Sequence, residues 1–451
     1  MFQNVNPATG EQAEPLRRDD AAAVEAKLTA AAATYREWRR TSLDERTALL
    51  SAIADGFERD RRKLAEIATR EMGKTVKSAL AEVDKCVAGF RYYAQHGPEL
   101  LAERTVDSDS GRVVARWCPM GPVLAIMPWN FPYWQVVRFL APTIMAGNVG
   151  LLKHASITQG VAAAIVDTVV AAGAPTGLFQ NLAIGSDEVG VLIGDERIVA
   201  VTLTGSEGAG AKVAEAAGRA LKKVVLELGG SDPFIVMPSA DIDEAAKVAT
   251  TARTQNSGQS CICAKRMIVH ADVYEAFVER FSAAMRAVSV GDPMGDVDIG
   301  PLSSFDQRDT VVDQVAEAKR QGARLLFGAD KPDLPGAYLT PGILADIPRD
   351  AAIAREEMFG PVAMLFRADD LNDAVALANA VPFGLGSSVW TNDAEERARF
   401  ERDIEAGMVA VNKMLASVPE APFGGIKRSG HGRELGPWGL HEFMNLKAVL
   451  G

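Results

Sequence analysis

Cys261 has the surroundings that best suit a thiol nucleophile among the four cysteines of this sequence. It follows the small polar run 256–260 (Asn-Ser-Gly-Gln-Ser), just after a predicted helix, so its thiol could lie on an open loop. A single cysteine is more often a small buried hydrophobic residue, and that alternative stays open. Only His270 of the five histidines is near in sequence, and none has metal-ligand spacing. We therefore expect neither a Cys–His protease site nor any metal site.

Two other side chains could complete a site for attack on a carbonyl group. Glu227 ends a predicted strand between apolar neighbours, where burial would raise its pKa and suit a general base. It could equally pair with Lys222. Asn130 lies in a stiff turn between Pro128 and Pro132 and could present a fixed amide donor, as an oxyanion hole requires. Taken alone, it could instead satisfy only the backbone of its own turn.

A glycine-rich turn, residues 205–210, follows one predicted strand and begins a predicted helix. The exposed N–H groups of such a helix terminus attract a pyrophosphate. The spacing is not G-x-G-x-x-G, so this signal is weak by itself. Lys153 follows another predicted strand and could reach ribose hydroxyls or a 2′-phosphate, or be an ordinary solvated lysine.

The elements that would position these residues alternate between short apolar runs and helical stretches, an order that favours a parallel sheet covered by helices. A nucleotide-binding α/β domain is the usual occupant of such a pattern. The predicted boundary to a second α/β unit lies near residues 229–230. The strands predicted for the first unit are 123–127, 149–152, 199–203 and 224–228, with helices at 160–172 and 208–221. Those predicted for the second are 266–270, 325–327, 362–366 and 387–390, with helices at 241–255 and 392–406.

Helix boundaries are indicated by capping residues. Residues 21–40 read as a helix, and Ser42 with Glu45 has the form of a capping box that begins the next one. Asp241 is a candidate N-cap, and Gly407 a candidate C-terminal stop for the helix at 392–406.

Composition excludes several classes of protein. With 451 residues, 48% of them hydrophobic, the chain can bury more than one core. A net charge of −11 without a basic cluster argues against nucleic acid or an anionic membrane as a partner. Prolines and glycines interrupt the longest apolar runs, and the first residues do not have the form of a signal peptide. Four cysteines are too few for a disulfide framework, so we expect a cytoplasmic protein.

Seven short segments, spread in order along nearly the whole chain, form one recognisable series. They are 128–132 (Pro-Trp-Asn-Phe-Pro), Lys153, 205–206 (Gly-Ser), 227–230 (Glu-Leu-Gly-Gly), 258–261 (Gly-Gln-Ser-Cys), 356–361 (Glu-Glu-Met-Phe-Gly-Pro) and 422–430 (Pro-Phe-Gly-Gly-Ile-Lys-Arg-Ser-Gly). Together they resemble the motifs of the aldehyde dehydrogenase superfamily, and among its members the sequence is most similar to the short bacterial succinate-semialdehyde dehydrogenases.

The resemblance implies an α/β fold with three parts. A Rossmann-like cofactor domain would comprise residues 1–99 and 119–228, and an α/β catalytic domain residues 229–428. A small bridging β-element, residues 100–118 and 429–451, would join copies of the chain into a homodimer or homotetramer.

The resemblance also implies an NAD(P)-dependent mechanism. Cys261 would attack the aldehyde, and Asn130 with the Cys261 backbone N–H would stabilise the oxyanion. Hydride transfer to the nicotinamide would leave a thioester, which water activated by Glu227 would hydrolyse. Glu227 argues against a relative that releases the acyl group to coenzyme A. The residues implied in cofactor binding are Trp129, Lys153, Ser156, Gly205, Ser206, Glu357 and Phe359.

Arg138 matches a position at which succinate-semialdehyde dehydrogenases place a carboxylate-binding arginine, although an ordinary surface arginine is the alternative. Related enzymes often carry a second cation near position 420, where this chain has Glu420. A broad-specificity dehydrogenase of neutral or aromatic aldehydes therefore remains open. Two alternative functions lie outside the dehydrogenases, namely a cofactor-independent thiol esterase and a non-catalytic scaffold protein. Further residues expected around the substrate are Tyr133, Trp134, Gln255, Ser417 and Phe423.

Two details concern the choice of cofactor and redox control. Ser156 stands three residues after Lys153, where members that prefer NAD often have Glu, and a serine can donate a hydrogen bond to a 2′-phosphate. NADP is therefore expected to be preferred, with NAD also accepted. Cys263 lies two residues from Cys261 and could form a reversible disulfide with it, or could be a buried packing residue.

Overall fold

The computed structural model describes residues 1–107, 109 and 111–451. Its helices alternate with strands over most of the chain, as the sequence pattern predicts. The helices are α1 (Ala21–Trp38), α2 (Leu43–Arg59), α3 (Arg61–Met72), α4 (Val76–Leu100), α5 (Trp134–Ala146), α6 (Gln159–Ala171), α7 (Val189–Gly194), α8 (Glu207–Arg219), α9 (Ile242–Thr254), α10 (Tyr274–Ala287), α11 (Phe305–Arg320), α12 (Leu371–Asn379), α13 (Ala394–Asp403) and α14 (Gly436–His441). The strands are β1 (Arg104–Val106), β2 (Val113–Pro119), β3 (Pro122–Met127), β4 (Val149–His154), β5 (Phe179–Asn181), β6 (Ala200–Thr204), β7 (Lys223–Glu227), β8 (Pro233–Val236), β9 (Arg266–His270), β10 (Arg324–Phe327), β11 (Gly342–Ala345), β12 (Val362–Ala368), β13 (Phe383–Gly384), β14 (Gly386–Trp390), β15 (Met408–Val411), β16 (Ile426–Lys427), β17 (Gly430–His431) and β18 (Met444–Leu450).

Two large sheets form the core of the described chain. The first has the strand order β17-β7-β6-β3-β4-β5 and is parallel except for its edge strand β17. The second has the order β10-β11-β12-β9-β8-β14-β15 and is parallel except for its edge strand β10. Helices cover both sheets, and every residue of α5 and of β4 is buried. The predicted α/β class is confirmed.

A third, small sheet joins β1, β2 and β18. It uses only Met444–Leu450 of the tail that was assigned to the bridging element. Earlier in that tail, β17 pairs with β7 of the first sheet, and α14 packs against α5 and α4. The assignment of domain boundaries stays a prediction.

Most predicted caps are present. Ser42 and Glu45 form a complete capping box at the start of α2, and Asp241 accepts a hydrogen bond from the Glu244 N–H at the start of α9. The predicted stop at Gly407 is wrong, because α13 ends at Asp403 and Ile404 turns to extended backbone. Gly407 instead lies where two backbones meet, since a Cβ there would be 1.8 Å from the Gly424 carbonyl oxygen.

Among the described residues, no helix has both the length and the apolar character that a bilayer crossing needs.

Candidate active site

The carboxyl ends of four parallel strands meet at one edge of the first sheet. Met127 of β3 is opposite His154 of β4, and Thr204 of β6 is opposite Glu227 of β7. Asn130, Lys153, Gly205, Ser206 and Glu227 therefore come together at this edge, because each lies at or just after one of these strand ends. This edge is where open parallel sheets generally bind ligands.

Cys261 lies on a loop that follows a short turn, Gln255–Gly258, at the end of α9. Asn256 and Ser257 adopt left-handed backbone conformations, with φ of 52° and 55°. Such conformations are costly for residues other than glycine, so the surrounding structure must hold them in place. The fully buried Arg253 guanidinium does so in part, by donating to the Gly258 carbonyl at 2.7 Å.

Lys265, which was not predicted as a site residue, holds the other side of this loop by hydrogen bonds. Its fully buried ammonium donates to the Ser260 carbonyl at 2.7 Å and to the Cys261 carbonyl at 2.5 Å. It also lies 3.2 Å from Oε1 of Glu357. The only sequence signal was a lysine four residues after the cysteine, and nothing local indicated that it would turn back towards the loop.

The Cys261 thiol is partly exposed, and burial raises its pKa to about 12. The charges of Lys265 and Arg138 oppose this rise. In this arrangement the thiol is protonated near neutral pH, so attack on a carbonyl needs a base or a change in the surroundings of the thiol.

Asn130 lies next to this loop, as predicted. Its side-chain Nδ2 donates to the Gln259 carbonyl at 3.2 Å, and Nδ2 of Asn256 donates to the backbone oxygen of Asn130 at 2.7 Å. Behind the turn, the buried His154 ring lies 2.9 Å from the Pro132 carbonyl. Burial lowers the pKa of His154 to about 4, so this support is a neutral imidazole.

Glu227 is buried at the end of β7, and its two carboxylate oxygens have no hydrogen-bond partner among the described residues. Burial, followed by the charge of Glu434, raises its pKa well above the ordinary value. The alternative pairing with Lys222 is not observed, because Lys222 Nζ donates to the carbonyls of Ile193 and Asp195. A buried carboxyl group with a raised pKa suits a role in proton transfer.

A cavity of about 320 Å³ opens in front of Cys261. Trp129 and Phe359 face each other across part of its lining, edge to face, with ring centroids 5.8 Å apart. Ser206 caps α8, whose first-turn residue Glu207 is paired with Arg428 at 2.6 Å. The predicted residues that line this cavity are Trp129, Asn130, Gly205, Ser206, Cys261, Glu357 and Phe359, and Gln135, Thr204, Gln307 and Gln314 lie with them.

These residues fit a nicotinamide dinucleotide. The cavity offers aromatic faces, a helix N-terminus and the Glu357 carboxylate, which suit a nicotinamide ring, phosphates and ribose hydroxyls respectively. Lys153 and Ser156 lie outside this cavity lining, at and just beyond the end of β4. Lys153 is buried and Ser156 is exposed. Their roles stay predictions.

Arg138 is only 2% exposed, so the alternative of a surface arginine is wrong. Its Nε lies 2.8 Å from a carboxylate oxygen of Glu434, its Nη2 contacts Gln135, and its guanidinium lies 4.3 Å from the Phe423 ring centroid. Its charge is therefore already balanced inside the protein. No local pattern indicated Glu434 as the partner of Arg138, because it lies almost 300 residues away along the chain.

The other predicted substrate residues divide into two groups. Trp134 donates through Nε1 to Ser417 Oγ at 3.0 Å, and Lys85, which was not predicted, donates to the same oxygen at 2.7 Å. Tyr133 does not join them. Its fully buried ring packs edge to face on Phe57, and its hydroxyl donates to a backbone carbonyl of α3, so it is a core residue.

Gln255 and Cys263 lie on either side of Cys261 along the chain, and neither lines the cavity. Gln255 Nε2 is buried without a hydrogen-bond partner among the described residues. The fully buried Cys263 contacts the Gln255 carbonyl through its sulfur at 3.7 Å. All four cysteines are free thiols in this structure. A Cys261–Cys263 disulfide stays a prediction. Within the described residues, no group of three or more His, Cys, Asp or Glu side chains is arranged to hold a metal ion.

Comparison with known proteins agrees with this geometry. The model of the aldehyde dehydrogenase family matches residues 1–449. An enzyme of Mycolicibacterium paratuberculosis named succinate-semialdehyde dehydrogenase (NADP+) is 50% identical over 450 residues, which cover 99% of this chain and 95% of that protein. A Mycobacterium bovis enzyme, number 1 of the same name, is 48% identical over 449 residues, which cover 99% and 98%.

A solved structure of succinic semialdehyde dehydrogenase from Streptococcus pyogenes, in complex with NADP+, superimposes with a TM-score of 0.98. It shares 38% sequence identity and covers 100% of this chain and 99% of that one. The chain belongs to the aldehyde dehydrogenase family and is an NAD(P)-dependent oxidoreductase that converts an aldehyde to a carboxylic acid.

Proposed function

We propose that this enzyme oxidises succinate semialdehyde to succinate with NADP+ as the preferred acceptor. The observation that carries the proposal is the 50% identity, over 99% of the chain, with an enzyme of that name. Two features of the site support it. The positive charges of Lys265 and Arg138 act on Cys261 and would favour an anionic substrate. The exposed residue at position 156 is a serine, which does not repel a 2′-phosphate.

The chain's own residues have distinct parts in this reaction. Cys261 supplies the nucleophile, and the Asn130 amide with the Cys261 backbone N–H donates to the oxygen that becomes negative. When bound, the nicotinamide supplies the hydride acceptor. The ionised Glu227 carboxylate then takes the proton from the hydrolytic water, and its raised pKa makes it a stronger base than an ordinary carboxylate.

The test is reduced-cofactor formation by the purified protein. Succinate semialdehyde, butanal and benzaldehyde are each compared with NADP+ and with NAD+. We expect the highest kcat/KM for succinate semialdehyde with NADP+, and no turnover by Cys261→Ala. A higher kcat/KM for butanal or benzaldehyde would instead establish a broad-specificity dehydrogenase. Ester hydrolysis without cofactor reduction would indicate a thiol esterase.

A homodimer or homotetramer formed through the small sheet is part of the same proposal. Apolar side chains on β18, Leu446 and Leu450, are 53% and 74% exposed in the single chain. Light scattering after size exclusion should give at least twice the mass of one chain, and a monomeric mass would contradict this. A cytoplasmic location stays a prediction.

A further inference from the structure

Lys85, on α4, is a partly buried cation without a counter-ion. No carboxylate of the described residues lies within salt-bridge distance of its Nζ. Two neighbouring cations differ in this respect, because Lys74 is paired with Glu82 and Arg138 with Glu434. Keeping an unpaired charge partly out of water is unfavourable, and a bound anion would remove that cost.

The contacts of Lys85 direct its charge towards one place. Nζ lies 4.6 Å from the Trp134 ring centroid and donates to Ser417 Oγ at 2.7 Å. Ser417 Oγ also accepts from Trp134 Nε1 at 3.0 Å. A hydroxyl oxygen has two acceptor positions and one hydrogen to donate. Both acceptor positions are used, so the Ser417 hydrogen is available for an external acceptor.

Lys85 also shares an electrostatic environment with the nucleophile. Burial lowers the pKa of Lys85 to about 8, the Arg138 charge adds to that lowering, and Cys261 is among the groups that oppose it. Arg138 likewise lowers the pKa of Cys261. Geometry links both cations to the cavity in front of Cys261, because Gln135 lines that cavity and contacts Arg138, and the preceding residue, Trp134, contacts Lys85. An anionic group a few bonds beyond an aldehyde carbon at Cys261 would be attracted towards this side of the cavity.

Glu420 does not interfere with this arrangement, because its side chain is exposed. The second cation that the sequence lacks near position 420 is supplied from another helix. We propose that the Lys85 ammonium and the Ser417 hydroxyl bind the distal carboxylate of the aldehyde substrate, beside Arg138, and so select a short aldehyde acid over a neutral aldehyde. This inference rests on the proposed function and assigns the residues that determine its specificity.

The test compares kcat/KM for succinate semialdehyde and butanal in the wild-type protein and in Lys85→Met, which keeps an apolar chain of similar length but removes the charge. We expect Lys85→Met to lose about 10- to 100-fold for succinate semialdehyde, the effect of one charge-assisted hydrogen bond. The value for butanal should change less than about threefold, because butanal has no group for the ammonium to bind.

Matched variants separate binding from folding. Lys77→Met removes the same charge from an exposed position of α4 and should leave both values unchanged. Lys85→Arg should retain much of the preference for succinate semialdehyde. Ser417→Ala should also weaken that preference, and it tests the same site should Lys85→Met fold poorly. Inhibition of butanal oxidation by succinate gives a second readout, with a Ki that rises in Lys85→Met.

The outcomes separate the two proposals. A wild-type protein that does not prefer succinate semialdehyde would reject the proposed function and this inference with it. A wild-type protein with that preference, retained in full by both Lys85→Met and Ser417→Ala, would overturn only the assignment of the carboxylate site. Equal losses of kcat/KM for succinate semialdehyde and butanal would show that Lys85 supports the structure around Cys261 rather than binding the carboxylate. That result would also overturn the assignment of the carboxylate site.

Discussion

The cavity in front of Cys261 and the charged region around Arg138 meet at the same thiol but are built differently. Most of the cavity lining comes from short segments that match the motifs, such as Gly205 and Ser206, and the rest comes mainly from α5 and α11. The charged region joins Lys85 of α4, Arg138 of α5, Ser417 and Glu434, which are far apart along the chain. One region is a set of local turns, whereas the other is a network of long-range pairs.

The two regions also differ in how they contribute to the stability of the fold. The cavity leaves donors and aromatic faces free for a ligand, at the cost of strained backbone at Asn256 and Ser257. In the charged region most groups balance one another, so their removal should affect stability as well as binding. Lys85 is the exception, because its charge is not balanced from within the described chain. Substitutions in the cavity should therefore affect catalysis, those at Arg138 and Glu434 stability, and those at Lys85 specificity.

The largest effect is expected in the cavity. Cys261→Ala removes the nucleophile and should lower kcat by at least about 10⁴-fold. NADPH binding, followed by fluorescence, should be retained, because Lys265 fastens this loop through backbone carbonyls rather than through the thiol. Cys263→Ala is the matched control and should keep most activity. Residual oxidation within tenfold of wild type in Cys261→Ala would show that another group attacks the aldehyde.

The charged region should instead respond in stability. Arg138→Met leaves the buried Glu434 without its cation and should lower the free energy of unfolding by about 3–5 kcal/mol. Urea denaturation measures this change. The double variant Arg138→Met/Glu434→Gln should recover part of the loss, since it removes the unpaired charge. Lys85→Met should lower the free energy of unfolding only slightly. A loss as large as that of Arg138→Met would show that Lys85, like Arg138, is needed for stability.

Asn130→Ala tests the cavity again, with a smaller effect. Loss of one oxyanion donor should lower kcat by about 10²–10³-fold, while KM for the aldehyde changes little. Single-turnover kinetics with excess enzyme would measure the step directly. The Asn256 contact goes to the Asn130 backbone oxygen, so the turn should keep its place in this variant. A change confined to KM would assign Asn130 to substrate binding.

The same contrast explains how much the sequence could predict. Asn130, Cys261, Glu357 and Phe359, which the motif resemblance assigned to one site, line one cavity. The strand pattern by itself accounts only for Asn130, which follows β3 at the edge where parallel strands bring their carboxyl ends together. Helix bounds were mostly close, since capping residues act locally. Gly407 was misread, because a glycine that permits close contact with Gly424 has the same appearance in sequence as a helix stop.

Long-range pairs could not be predicted in this way. Tyr133 and Trp134 are neighbours in sequence, yet one lies in the core and the other at Ser417, because successive helical residues point about 100° apart. Arg138 was noticed, but Glu434 was not. Lys85 had no local signal, since a lysine on an amphipathic helix usually faces solvent. Such residues become visible only when helix packing is known.

The preference for succinate semialdehyde should depend on pH through Lys85. Burial and the Arg138 charge lower the pKa of Lys85 to about 8, against the opposing charges of Cys86, Glu82 and Cys261. Lysine is cationic below its pKa, so the preference for succinate semialdehyde should be full well below pH 8 and begin to fall as the pH approaches 8. Above pH 8, the ratio of its kcat/KM to that of butanal should fall by about tenfold per pH unit, until the contribution of Lys85 is lost.

The ratio is informative because titration of Cys261 affects both substrates and cancels. Lys85→Arg is the control, since a guanidinium stays charged and should give a ratio that is flat to above pH 10. A ratio in the wild-type protein that stays flat between pH 7 and 10 would exclude Lys85 as a titrating carboxylate ligand. It would leave Arg138 as the remaining cation near the carboxylate.

The smallest effect concerns cofactor choice at the rim of the first sheet. Ser156→Glu should place a carboxylate near a bound 2′-phosphate and lower the NADP+ to NAD+ ratio of kcat/KM by about tenfold, as expected for two charges in a partly solvated place. Ser156→Gln keeps the size without the charge and should change the ratio less. The effect should also shrink as salt is added, because the residue is exposed. Equal ratios in Ser156→Glu and Ser156→Gln would show that Ser156 lies away from the 2′-phosphate, and would leave Lys153 as the residue to examine for that contact.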